Sequence, residues 1–189
     1  MIPGDLSDGA HAVANILFGD KNPAGRLPIT FPVFEGQLPL VYNHKPTGRS
    51  DDYTNLNGVP LFPFGYGLSY STFEYSNLRF DKKQLGKSET TKVYCTIKNT
   101  SKVDGDEVVQ LYVRDLLSSI AQPIKQLKGF QRISLKAGES KEISFEINKE
   151  TLQMLNEDMK WVVEPGDFRI MIGASSRDIR LREIITVTE

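Results

Sequence analysis

The chain has 189 residues, of which 25% are charged and 39% are hydrophobic, a composition typical of a globular protein with one complete core and part of a second. Its formal net charge is -1 and its lysines and arginines are scattered, which argues against nucleic acid or an anionic lipid surface as a partner. No apolar stretch reaches the length of a membrane-spanning helix, so the sequence predicts no membrane partner either.

The first 48 residues have the pattern of one helix followed by one short strand. Small and apolar residues at positions 10, 13, 14 and 17 fall at helical spacing, and Gly19 is a typical helix stop. A turn at residues 22–25 precedes a run at residues 27–31 that predicts a strand. Because a helix and a strand cannot bury an apolar face by themselves, residues 1–48 indicate the tail of a larger domain or an appendage folded on the rest of the chain. The polar, turn-rich stretch from Thr47 to Pro60 predicts a loop.

An aromatic segment at residues 61–73 divides the chain into two parts with different periodicities. Pro63, Gly65 and Gly67 exclude a helix there, and a regular strand would lose ladder hydrogen bonds at the proline. We interpret the segment as an aromatic plug between two domains. The plug residues are Phe62, Phe64, Tyr66, Tyr70 and Phe73.

The sequence after Tyr75 alternates between apolar and polar residues, as strands with one buried face do. Four alternating runs lie at residues 93–98, 109–114, 143–147 and 168–172, and turn residues separate them. One exception is residues 149–156, where two leucines three residues apart predict a helical turn. About seven short strands predict a mainly β fold, an antiparallel β-sandwich of the fibronectin type III or immunoglobulin-like kind. Since the paired cysteines of antibody domains are missing, the fibronectin type is favoured.

The residue types that carry catalysis or bind metals are not arranged as a site. Cys95 is the only cysteine and alternates with apolar neighbours, so we expect a core residue. His11 and His44 lie far apart without metal-ligand spacing, and we predict neither a metal site nor a cofactor. Adjacent acidic residues at positions 51 and 52, and Glu139 and Glu142 in a turn and a strand, are expected to face solvent.

Several short motifs, in order along the whole chain, resemble the C-terminal region of family 3 glycoside hydrolases. The motifs are NILFGD at 15–20, NPAGRLP at 22–28, TFP at 30–32, YNHKP at 42–46, PFGYGLSY at 63–70, VVQLYV at 108–113, LKGF at 127–130 and AGE at 137–139. The YNHKP form is similar to the β-glucosidase and β-xylosidase branch. Members of this family consist of a barrel, an α/β sandwich and a fibronectin type III-like domain.

The resemblance implies a division into three parts. Residues 1–48 correspond to the tail of the α/β sandwich, residues 49–69 to a loop and aromatic linker, and residues 70–189 to the complete fibronectin type III-like domain. In the family both catalytic carboxylates lie in the preceding domains, so we predict no catalytic residue here and no glycosidase activity for this chain alone. Its partners would be the N-terminal barrel and α/β sandwich of a parent enzyme, which the resemblance implies is periplasmic or secreted.

Two features leave other functions open. Arg49, Asp52 and Tyr53 lie in a polar loop and suit contact with a sugar, although an interdomain linker is the alternative. Tyr94 and Tyr112 fall on the outward phase of their strands, where their rings could stack on a sugar. A second possible function is therefore a stand-alone module that binds an oligosaccharide. The alternative is that these tyrosines pack against other domains. A third is an interaction protein that completes a split enzyme, since residues 1–48 should expose apolar surface.

Overall fold

The computed structural model describes residues 6–47 and 58–189, with side chains from Gly9 onward. The helices are α1 (Leu6–Leu17), a 3-10 helix (Glu35–Gln37) and α2 (Lys149–Leu152). The strands are β1 (Phe73–Phe80), β2 (Gln84–Gly86), β3 (Thr91–Asn99), β4 (Gly105–Asp115), β5 (Gln126–Leu135), β6 (Ser140–Ile147), β7 (Met154–Leu155), β8 (Trp161–Val162), β9 (Gly166–Gly173) and β10 (Ile179–Thr188). None of the helices in the described part has the length and apolar character needed to cross a bilayer.

Two sheets form a β-sandwich, which confirms the predicted fold class. One sheet has the order β1-β3-β6 and the other β2-β10-β9-β4-β5, while β7 and β8 form a separate pair. Neighbouring strands are antiparallel except for β2, which pairs parallel with β10. The parallel pair was not predicted, because the three residues of β2 are too few to show a periodicity.

The core lies between the inward faces of the two sheets, where the sequence alternation placed it. Val93, Cys95 and Ile97 of β3 and Val109 and Leu111 of β4 are all buried in one cluster. Their polar neighbours point to the other face of each sheet, as a period of two requires. The strand predictions at these positions are therefore confirmed.

Two local predictions need correction. Residues 27–31 do not form a strand, since Pro28 lacks the N–H that a ladder needs and Pro32 follows directly. Only Phe31 makes a bridge, with Phe62. The predicted helical turn at residues 149–156 ends at Leu152, and the chain then enters β7. Asn148 begins this turn by accepting a hydrogen bond from the Thr151 N–H at 3.1 Å.

Helix α1 confirms the helical spacing near the N-terminus. It ends before Gly19, whose φ of +85° is the left-handed conformation that commonly terminates helices. The expected loop from Thr47 to Pro60 falls mostly on residues 48–57, outside the described residues. The domain boundaries at residues 48 and 69 stay predictions.

The buried thiol of Cys95 gives a first testable prediction. Burial, with a smaller contribution from the charge of Glu142, raises the pKa of Cys95 to about 12, whereas an unfolded cysteine titrates near pH ~8.5. We expect no reaction with a thiol-reactive aromatic disulfide at pH 8 in the folded chain and prompt reaction in urea. Because the folded chain holds the thiol proton more tightly than the unfolded chain does, the free energy of unfolding keeps its full value below the unfolded pKa. It falls as the pH rises toward 12. Rapid labelling of the folded chain would contradict a buried position.

Candidate functional site

The best-defined functional feature is the way two N-terminal segments pack on the sandwich. We call residues 22–46 the docking segment and residues 61–73 the aromatic segment. Asn22 joins them: its amide Nδ2 donates to Ser71 Oγ and to the Asp104 carbonyl oxygen, both at 2.8 Å. Its Oδ1 accepts from Ser69 Oγ and from the Tyr70 N–H, both at 2.9 Å. One side chain therefore fixes the docking segment, the aromatic segment and the loop before β4 in a common arrangement.

Replacing Asn22 by alanine removes all four hydrogen bonds at this junction. Because the site is only half-buried, water replaces part of the loss, and we expect the free energy of unfolding to fall by about 1–2 kcal/mol. The measurement is urea denaturation, with Asn43→Ala as the control, since Asn43 is an exposed residue of the same docking segment. Equal losses of unfolding free energy in the two variants would mean that the hydrogen bonds of Asn22 do not stabilise the junction.

A buried ion pair lies next to this junction. Arg26 Nη2 is 3.1 Å from Glu107 Oε1, and the two side chains are 11% and 4% exposed. Arg26 also donates to the carbonyl oxygens of Ala24 and Gly25 at 3.3 and 3.1 Å. Burial raises the pKa of nearby Tyr75, and the Glu107 carboxylate raises it further. The pair thus connects the docking segment to β4 through a charge contact whose two side chains are largely buried.

A second contact is an aromatic stack on the outward face of β4. The Tyr42 ring stacks on Phe64 at a centroid distance of 4.2 Å and meets Tyr112 edge-on at 5.9 Å. Tyr112 is fully buried, and its hydroxyl donates to Gln110 Oε1 at 2.5 Å. Gln110 Nε2 donates to the carbonyl oxygen of Gly65 at 3.2 Å. The outward face of β4 is therefore covered by this chain's own N-terminal residues.

This packing shows that the predicted oligosaccharide-binding surface formed by Tyr94 and Tyr112 is wrong. Tyr112 is not available to a sugar, nor to another domain, because Tyr42 and Phe64 already cover it. The Tyr94 ring lies under the Arg79 guanidinium, 3.8 Å from the ring centroid, and its hydroxyl donates to Asp81 at 3.1 Å. The alternation along the strands predicted the face on which these tyrosines lie, but it did not predict which residues pack on that face.

The predicted plug residues occupy different environments. Phe62 stacks on Tyr66 at 5.1 Å, and Phe64 packs as described above. The Tyr70 hydroxyl donates to the Ile16 carbonyl oxygen, which ties the aromatic segment to α1. Phe73 begins β1 and is buried in the sandwich core. Their role between two domains stays a prediction.

An exposed apolar face includes side chains at the end of α1 and in the aromatic segment. Leu17, Phe18 and Leu68 are 71%, 84% and 68% exposed. An open groove of about 630 Å³ lies beside Leu68. Its apolar lining includes Ile16, Pro23, Leu27, Phe31, Phe62, Tyr66 and Leu68. Contiguous apolar surface of this kind is typical of a protein–protein contact.

The other sequence predictions concern loops and acidic residues. Arg49, Asp52 and Tyr53 lie outside the described residues. Glu139 and Glu142 are exposed, and Glu142 pairs with Arg79 at 2.9 Å. Within residues 6–47 and 58–189, no cluster of His, Cys, Asp or Glu is arranged to hold a metal.

The residues that hold the docking segment were not predicted from the sequence. Glu107 could have been identified from the sequence, because it occupies the same apolar phase of β4 as Val109 and Leu111. A carboxylate in that phase indicates a buried partner of opposite charge. Asn22 and Tyr42 carried no comparable signal, since their partners lie tens of residues away along the chain.

Comparisons with known proteins agree with the motif resemblance. Residues 3–70 match the family model described as glycosyl hydrolase family 3 C-terminal domain, and residues 107–176 match the fibronectin type III-like domain. A β-xylosidase from Formosa agariphila is 47% identical over 177 residues, covering 92% of this chain and 24% of the relative. A periplasmic β-glucosidase from Salmonella typhimurium is 42% identical over 185 residues, with coverages of 92% and 24%.

Solved structures give the same result. The β-glucosidase of Erythrobacter marinus superposes with a TM-score of 0.90 at 42% identity, covering 95% of this chain and 24% of that one. The β-glucosidase of Listeria innocua in complex with glucose gives a TM-score of 0.85 at 37% identity, with coverages of 94% and 26%. This chain therefore spans about a quarter of the length of the relatives it matches.

Proposed function

This chain belongs to glycoside hydrolase family 3, and we propose that it serves as the accessory C-terminal region of a β-glycosidase of the β-glucosidase or β-xylosidase type. In this role it supports the packing of the catalytic domains. The observation that carries the proposal is the exposed apolar face of α1, the docking segment and the aromatic segment. The missing barrel and α/β sandwich of the parent enzyme are its partners.

The arrangement of the two segments suits this role. Asn22, the Arg26–Glu107 pair and the Tyr42 stack hold their inner side on the sandwich. Their outer side presents apolar side chains to solvent, where burial is worth roughly 25 cal/mol per Å². The sandwich thus acts as a rigid support that orients the apolar face toward a neighbouring domain.

The chain alone is expected to be inactive. A retaining glycosidase needs two carboxyl groups about 5 Å apart across the scissile bond. Glu142 is held by Arg79 on an exposed sheet face, and Glu139 lies in a surface turn. The Glu139 carboxylate accepts a hydrogen bond from the Lys136 N–H at 2.8 Å, as a turn residue does.

A complementation experiment tests the accessory role. The N-terminal three quarters of the Formosa agariphila β-xylosidase is expressed with this chain, fused or as a separate polypeptide, and hydrolysis of aryl β-xylosides is measured. We expect activity with both parts present and none with either part alone. Restoration by separate chains would also support the split-enzyme reading. Hydrolysis by this chain alone would contradict the proposal.

Matched variants locate the contact. Phe18→Asp and Leu68→Asp place a charge on the apolar face and should abolish complementation, while Leu117→Asp should not. Leu117 is also 84% exposed but lies after β4, outside that face. The isolated chain should bind an apolar dye or self-associate. A monomeric chain that binds no dye, or equal complementation by all three variants, would contradict the proposal that the apolar face contacts another domain.

The polar segment with Arg49, Asp52 and Tyr53 is proposed to contact substrate in the assembled enzyme. Guanidinium and carboxylate groups suit sugar hydroxyls, and a tyrosine ring suits stacking on a pyranose. Substituting each by alanine in the complemented enzyme should raise KM while assembly is unchanged. Unchanged KM and kcat would make the segment a linker.

A further inference from the structure

A small pocket lies where the docking segment meets the turn before β10. Its volume is about 60 Å³, and its lining includes Tyr42, His44, Ile124, Lys125 and Ser176. Backbone hydrogen bonds fix its walls: the Ile124 N–H donates to the His44 carbonyl oxygen and the Ser176 N–H to that of Phe64, both at 3.0 Å. The pocket is thus a defined concavity between two anchored segments.

Three of the side chains that line this pocket can donate to a bound ligand: Lys125, Ser176 and Arg177. Lys125 Nζ donates to the Ser176 carbonyl oxygen at 2.7 Å, which leaves two of its three N–H groups for a further acceptor. Ser176 is 2% exposed, and its buried Oγ has no hydrogen-bond partner among the described residues. Arg177 contributes a guanidinium, and the residues that line the pocket in the described part include no Asp or Glu. Unsatisfied buried hydroxyls are uncommon and call for a partner.

The surrounding charge has the same sign. Burial lowers the pKa of Lys125, and the positive charges of Arg177, Arg114 and Arg182 lower it further. None of these four side chains has an ion pair with a carboxylate within the described residues. A bound anion would relieve the repulsion among the cations and also accept from the unpartnered hydroxyl.

We propose that this pocket binds one small oxyanion through Lys125 Nζ, Ser176 Oγ and the Arg177 guanidinium. One water requires about 10–15 Å³ of cavity. A pocket of about 60 Å³ therefore has room for more than one water, or for one small anion such as acetate, sulfate or phosphate. Arginine and lysine are the usual ligands of such groups, and their hydrogen bonds to an anion are stronger than neutral ones.

The test is calorimetric titration of the full chain with sodium sulfate, sodium phosphate and sodium acetate, with ionic strength held constant by sodium chloride. We expect saturable binding with a stoichiometry of one, and a rise in Tm that chloride does not reproduce. Lys125→Met and Ser176→Ala should each weaken binding at least tenfold. Lys136→Met removes an exposed lysine on the turn after β5 and should leave binding unchanged.

Arg177→Gln keeps the test independent of folding defects in the Lys125 variant. Arg177 is exposed, so its substitution should leave the circular dichroism spectrum unchanged while weakening anion binding severalfold. Preference for sulfate and phosphate over acetate would support a tetrahedral ligand, and equal binding would support oxyanions generally. An identical response to chloride, or equal affinities in the wild type and the Lys125, Ser176 and Arg177 variants, would overturn the proposal.

Discussion

Arg26→Met is expected to lower the free energy of unfolding by about 3 kcal/mol. Breaking a buried ion pair by removing one partner typically costs about 3–5 kcal/mol, because the remaining charge stays buried and uncompensated. Glu107 is 4% exposed and fixed within β4, so its carboxylate cannot turn to bulk water. A cavity of about 270 Å³ beside the pair admits some water, which places the cost at the lower end. Urea denaturation with an unchanged m-value measures the loss.

Two further variants separate the charge from other effects of Arg26. Lys83→Met breaks an exposed pair with Glu183, whose side chains are 56% and 43% exposed, and should cost less than about 1 kcal/mol. The double variant Arg26→Met with Glu107→Met should recover most of the loss, since apolar replacement of a buried pair is often neutral. If Arg26→Met costs no more than Lys83→Met, the pair does not hold the docking segment.

The cost of Arg26→Met also has an upper limit, set by release of the docking segment. Once the segment leaves the sandwich, Glu107 becomes hydrated, and the penalty cannot exceed the free energy of docking. Hydrogen exchange reports this directly, because the Leu27 N–H donates to the Tyr66 carbonyl oxygen across the two segments at 2.8 Å. Fast exchange at Leu27 with slow exchange at Val109 would identify local release rather than global unfolding.

The sandwich was predictable because its sheets have one buried face. Val93, Cys95 and Ile97 alternate with polar residues only if β3 contributes one side to the core, and the structure buries all three. The family was predictable for a different reason, since many ordered motifs over the whole chain are specific even where each one alone is not.

The site was much less predictable, because its contacts join residues far apart in sequence. The outward phase of Tyr112 was read correctly, yet the sequence does not show that Tyr42, seventy residues earlier, covers it. The run at residues 27–31 has apolar character but bonds to the aromatic segment only through Leu27 and Phe31 among the described residues, because Pro28 cannot donate to a ladder. Glu107 is the one contact residue with a readable signal, a carboxylate on the apolar phase of a strand.

Gly65→Ala is expected to destabilise the chain by about 3 kcal/mol. Gly65 has φ +80°, a conformation that costs an alanine about 1–2 kcal/mol. A Cβ added there would lie 2.2 Å from Gln110 Oε1. Gln110 cannot move away freely, because it accepts from the Tyr112 hydroxyl and donates to the Ala174 carbonyl oxygen at 2.6 Å. Losing these hydrogen bonds adds about 1 kcal/mol each.

Gly138→Ala separates the backbone cost of Gly65→Ala from the cost of the contact. Gly138 has φ +77°, but a Cβ there meets nothing within 4 Å, so only the left-handed conformation is penalised. We therefore expect a loss of about 1 kcal/mol for Gly138→Ala and about 3 kcal/mol for Gly65→Ala, both from urea denaturation. Near-UV circular dichroism should change only in the Gly65 variant, since Tyr42, Phe64 and Tyr112 are displaced with Gln110. Equal losses of unfolding free energy and unchanged spectra would mean that the Gln110 side chain moves aside without an energetic cost. The aromatic stack would then not depend on Gly65.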